Sequence, residues 1–149
     1  MKLAAGIVLF LLCGLAGEQK SRRLVRRSRA LSNLGALIRQ ISDRQISELI
    51  CFAKAAQGCP PSQERDYLLS LTGGQAAGIM PLTPEEEKHL LAYARRDSRS
   101  TADLERERDG LLALLNRAAE GARQELQQKG QVYRSVGYLT GMAVLLLVL

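Results

Sequence analysis

The chain has no tryptophan, only two phenylalanines and four tyrosines, one histidine and three cysteines in 149 residues. Each scarcity closes off a class of function. Binding single-stranded nucleic acid calls for successive aromatic faces along a basic groove, yet the interior of the sequence holds only Phe52, Tyr67 and Tyr93. No nucleic-acid partner is therefore expected. A structural zinc site needs four Cys or His ligands in closely spaced pairs. Cys51, Cys59 and His89 supply neither a CxxC nor an HxxxH spacing, and a fourth ligand is missing. The cysteines also form no disulfide framework, which suits a reducing compartment. There is no Gly-rich loop closing on Lys-Ser/Thr, and no Ser, Cys or His set with a partner at usable spacing. The expectation is a non-enzymatic protein that needs no cofactor and no metal.

Long apolar runs are missing too. Two short stretches, Leu3–Gly17 and Val136–Leu149, are both apolar and free of charge. At 1.5 Å per helical residue they extend roughly 22 and 21 Å, against a hydrocarbon core of about 30 Å. Each would have to borrow its flanks to span a bilayer, including Lys2 on one side and a snorkelling Arg134 on the other. A cleaved signal peptide competes for the first stretch, since Lys2 supplies a small basic region and Gly14-Leu15-Ala16 the small residues a peptidase needs. A buried core helix competes for the second. Two transmembrane helices, at residues 1–17 and 132–149, are the expectation, with a helical body at 18–131 between them.

Charge is abundant but unevenly placed. Residues 18–30 carry six basic residues and one acidic, whereas 31–131 carry thirteen basic and fourteen acidic. The formal charge of +6 therefore reports a local collar and not a basic body. Lys20, Arg22, Arg23, Arg26, Arg27 and Arg29 follow the first apolar stretch, and Arg134 precedes the second. By the positive-inside rule this puts the body in the cytoplasm of a two-span protein of the cell membrane. Such a cluster also attracts anionic lipid, at about 1 kcal/mol per residue near the surface. Membrane lipids are thus the first expected partner.

The body reads as all-α, a membrane-anchored helical bundle. Leu24, Leu31, Leu34, Ile38 and Ile41 recur at helical spacing and form one apolar stripe. Ser42 with Gln45 three residues on predicts a capping box, and so a break near Asp43. Gly58-Cys59-Pro60-Pro61 ends the next segment, and Ser62 is placed to cap the one after. Thr72–Pro81 holds three glycines and a closing proline and reads as a loop. Thr83-Pro84-Glu85-Glu86 is a strong start signal, with threonine as cap, proline at the first helical position and glutamate completing the box. After Asp97-Ser98-Arg99-Ser100 a long helix starts near Thr101, with Leu104, Leu111, Leu115, Ala118, Ala122 and Leu126 on one face. Gly110, Gly121 and Gly130 each cost about 1 kcal/mol relative to alanine inside a helix. Close packing of another helix is the expected reason, with a hinge at Gly130 as the competitor.

Residues 131–142 (QVYRSVGYLTGM), followed by AVLLLVL, resemble the closing segment of the stage III sporulation protein AB family, with its Tyr-Lys/Arg-Ser-Leu-Gly pattern and a further glycine in the last span. Leu82–Glu87 leading into a short helix, Asp97-Ser98 before a long charged helix, and the glycine-containing first stretch with its arginine-rich continuation agree with it. Two regions depart from the family. Ile41–Gln45 stands where a Gly-x-Thr-Pro-Leu loop is usual, and Pro61–Pro81 is shortened. The resemblance implies a mother-cell membrane protein facing the forespore, similar to the cytoplasmic domains of the type II secretion platform protein. Its implied partners are other channel-complex proteins, a secretion-type ATPase among them. A membrane-tethered helical scaffold unrelated to sporulation fits the same physical features, and self-association stays open.

Overall fold

The structure is a computed structural model that describes residues 2–73, 79–96 and 100–148. Among these residues the chain forms five helices and no strand: α1 (Lys2–Glu48), α2 (Phe52–Gln57), α3 (Gln63–Gly73), α4 (Pro84–Arg95) and α5 (Thr101–Val148). The all-α expectation holds. Contacts divide the chain into a bundle unit, Arg29–Ala119, and a paired-helix unit made of Met1–Ser28 and Glu120–Leu149.

The bundle unit is built on the stripe read from the sequence. Leu31, Leu34, Ile38 and Ile41 of α1 are almost wholly buried, and Leu111, Leu112 and Leu115 of α5 join the same core. Phe52 of α2 meets Tyr93 of α4 edge-on at 5.9 Å between ring centroids, a favourable aromatic geometry. Tyr67, Leu68 and Leu71 complete the apolar centre from α3.

Local signals set three helix starts. Thr83 accepts a hydrogen bond from the Glu86 N–H, and the Glu86 carboxylate accepts one from the Thr83 N–H at 2.9 Å, with Pro84 opening the helix. Ser62 accepts from the Arg65 N–H at 3.1 Å, and Ser100 from the Asp103 N–H at 3.3 Å. Each side chain satisfies an amide that the helix itself leaves unpaired. At the Gly58 turn a Cβ would clash only with the Arg44 guanidinium, the flexible end of a side chain that can shift aside.

The capping box expected at Ser42 does not form. Helix α1 continues to Glu48, because Ile38, Ile41 and Ser42 are all completely buried and only uninterrupted helical spacing keeps them on one inward face. The Ser42 hydroxyl is enclosed without a hydrogen-bond partner. The break falls instead at Leu49, which takes a left-handed φ of 53° and is 83 % exposed. Of the Thr72–Pro81 loop, Thr72 and Gly73 close α3 and residues 74–78 lie outside the described residues, as do Asp97, Ser98 and Arg99.

In the paired-helix unit α1 and α5 run antiparallel. Phe10 meets Gly141, Gly14 meets Tyr138, Gly17 meets Tyr133 and Gly137, and Ser21 meets Gly130. Here the usual arrangement is inverted. Gly6, Gly14, Ser21, Gly130 and Gly141 are buried, while Ile7, Val8, Leu9, Leu11, Leu12 and Leu15 are between 44 and 61 % exposed. Val136, Leu139, Met142, Leu146 and Leu147 of α5 are exposed in the same way. Among the described residues no helix is long and apolar enough to cross a membrane. The expectation of two transmembrane helices finds no support, because each long helix is apolar over too short a part of its length. The uncharged apolar parts of these helices, Leu3–Gly17 and Val136–Val148, extend only about 20 to 22 Å against a hydrocarbon core of about 30 Å.

Candidate functional site: a small-residue helix seam and its basic flank

The seam between α1 and α5 depends on what its residues lack. A Cβ on Gly17 would lie 2.5 Å from the Tyr133 carbonyl oxygen, and one on Gly137 would lie 2.9 Å from that of Cys13. On Gly141 it would fall 2.8 Å from the Phe10 ring and 3.1 Å from the Phe10 carbonyl oxygen. Apart from the Phe10 ring, these are approaches of backbone to backbone that a side chain would prevent. Aromatic residues close the seam on either side: Phe10 and Tyr138 stand 6.2 Å apart, and the Lys20 ammonium lies 5.4 Å from the Tyr133 ring centre, in range of a cation–π attraction.

Of the glycines singled out from the sequence, Gly130 does meet a partner: its Cβ position is 3.6 Å from the Ser21 hydroxyl and 3.1 Å from Leu126. Gly110 and Gly121 do not. Nothing lies within 4 Å of a Cβ on either, so close packing of another helix is not why they are glycine. Gly110 lines an open cleft of about 410 Å³ in the bundle unit, between α4 and α5, with His89, Tyr93, Leu111 and Leu114; the Arg96–Glu107 ion pair, at 2.6 Å, borders it. The glycines that carry the seam, Gly14, Gly17, Gly137 and Gly141, were missed. Their signal was present: Gly137 and Gly141 are a Gly-x-x-x-Gly pair, and Cys13, Gly17 and Ser21 repeat small residues every four positions.

No family model, curated protein or solved structure matches this chain.

Lys20 borders the seam at the Tyr133 ring, whereas the arginines Arg22, Arg23 and Arg26 lie away from it. At 100° per residue, Gly14, Gly17, Ser21 and Ser28 share one side of α1, and Arg22, Arg23 and Arg26 take the other. Arg22 pairs with Glu18 one turn earlier at 2.9 Å, with its side chain 69 % exposed. Arg23 and Arg26 are exposed, Arg27 is half-buried, and Arg134 on α5 is exposed. Arg29 belongs to the bundle unit, where it too is exposed. Near the start of the α5 segment, Glu125 hydrogen-bonds Lys129 at 3.2 Å and raises its ammonium pKa above the ordinary value, its charge adding to the effect.

No described group of His, Cys, Asp or Glu is arranged to hold a metal ion. Cys51 is exposed, and Cys59 is buried, with its thiol donating to the Ala55 carbonyl at 3.4 Å. His89 is exposed on α4. Among the described residues the strongly perturbed group is structural: burial raises the Tyr67 phenol to about 12, with the charge of Glu87 and its hydrogen bond adding to the shift.

Proposed function

We propose that the chain is a membrane-held, non-enzymatic platform whose first and last segments form one helical hairpin in the bilayer and whose bundle binds and positions a partner protein. The observation that carries this reading is the inverted packing of the paired-helix unit, with small residues inside and large aliphatic residues outside. In water that order is unfavourable, because it exposes the surface that burial would remove. In lipid it is the natural order, since apolar tails solvate the outer face and glycines let the helices gain dispersion contacts. The short apolar length is accommodated by local thinning of the bilayer and by snorkelling of Lys20 and Arg134.

The resemblance of residues 131–142 to the stage III sporulation protein AB family refines the role. In that form the bundle stands between a secretion-type ATPase and a membrane channel linking mother cell and forespore, on the cytoplasmic side of the mother-cell membrane. The bundle then supplies a docking surface and no chemistry.

Alkaline carbonate treatment of membranes from cells making the full chain tests the anchor. The chain is expected to stay with the membrane pellet, and its release into the supernatant would refute the hairpin. The sporulation role is tested in a spore-forming host by deleting residues 136–149. Full sporulation with the shortened chain at normal abundance rejects it.

A further inference from the structure

Resting on the hairpin reading, we infer that the Arg22–Arg26 flank of α1 is a binding face for anionic phospholipid headgroups. Val8, Leu12, Leu15, Gln19, Arg22 and Arg26 follow one another at alternating spacings of four and three, which keeps them on a single face of the helix. Val8, Leu12 and Leu15 are 55, 58 and 61 % exposed, so the apolar face that would meet acyl chains runs directly into the cationic one. Arg22 lies seven residues past Leu15, and Arg26 eleven, about 10 and 16 Å along the axis.

The direction of the side chains favours the same contact. Side chains on a helix lean toward its N-terminus. Arginines at these positions therefore reach back toward the apolar band and bring their guanidinium groups to the level where phosphates would lie. Glu18 satisfies Arg22 in part at 2.9 Å, but Arg23 and Arg26 engage no acidic side chain among the described residues. Guanidinium groups suit phosphate because their planar donors meet its oxygens in pairs. No aromatic residue is interleaved from Glu18 to Ala30, which disfavours nucleic acid as the source of those phosphates.

The test uses the full chain reconstituted into phosphatidylcholine vesicles containing trace spin-labelled phosphatidylglycerol or phosphatidylcholine. The fraction of each label immobilised against the protein is then measured. Phosphatidylglycerol is expected to be preferred roughly five-fold at low salt, the contribution of about one arginine near the surface, and the preference should fall as salt screens it. The R23Q/R26Q double variant should bring the preference toward parity while still floating with the vesicles. Equal immobilisation of both labels by the native chain, or an unchanged preference in the double variant, overturns the inference and leaves the flank to an acidic protein partner. A native chain that does not float with phosphatidylcholine vesicles at all refutes the hairpin itself, which flotation reads separately.

Discussion

Placing an alanine at Gly17 sets two known effects against each other. Alanine stabilises a helix interior over glycine by about 1 kcal/mol. At this position the new Cβ would sit 2.5 Å from the Tyr133 carbonyl oxygen, where ordinary contact begins at 3.4 Å. The obstacle is backbone and cannot turn aside. Helix α5 must therefore move off by close to 1 Å, which forfeits a quarter to a half of each dispersion contact along the seam. Phe10, Cys13, Gly14 and Ser21 all make contacts there. Overpacking of this kind costs about 1 to 3 kcal/mol, so Gly17→Ala should destabilise the chain by about 1 kcal/mol net. Gly121→Ala is the matched control, since nothing lies within 4 Å of its Cβ and the propensity gain of about 1 kcal/mol stands alone. Denaturant titration of the full chain in mild detergent, followed by far-UV circular dichroism, should move the two midpoints in opposite directions. Equal stabilisation by both substitutions would refute the close approach of α1 and α5 at Gly17.

Leu49→Gly should raise stability by about 1 kcal/mol, because a left-handed φ of 53° strains a leucine but not a glycine, and the exposed side chain loses little; an unchanged unfolding midpoint would count against that strain. Tyr67 holds its proton more tightly in the fold than in the unfolded chain, so the associated stability is complete below pH 10 and is lost as pH rises toward 12. The loss should approach about 2 kcal/mol on top of other titrations, and Tyr67→Phe should remove that component from unfolding curves taken across the window. Maleimide labelling of the folded chain should modify Cys51 rapidly and Cys59 slowly, given their exposure. In intact cells an impermeant reagent added outside should leave Cys51 untouched, and strong modification there would overturn the cytoplasmic orientation.

What the sequence determined by itself was whatever is decided within a turn or two of chain. The Thr83-Pro84-Glu85-Glu86 box, the Ser62 cap, the start near Thr101 and the stripe from Leu31 to Ile41 all appear as read, because caps and helical periodicity involve neighbours four residues apart or fewer. The all-α class follows from the same periodicity. Tertiary structure decided the rest. Ser42 has the residue type and spacing of a cap, yet the core of the bundle unit holds it inside α1, since leaving the helix there would turn Ile41 outward. Likewise the cost of a glycine is local, but its purpose is not: Gly121 and Gly17 look alike along the chain, and only the partner helix distinguishes them. The backbone of Tyr133 stands against one, and open space faces the other.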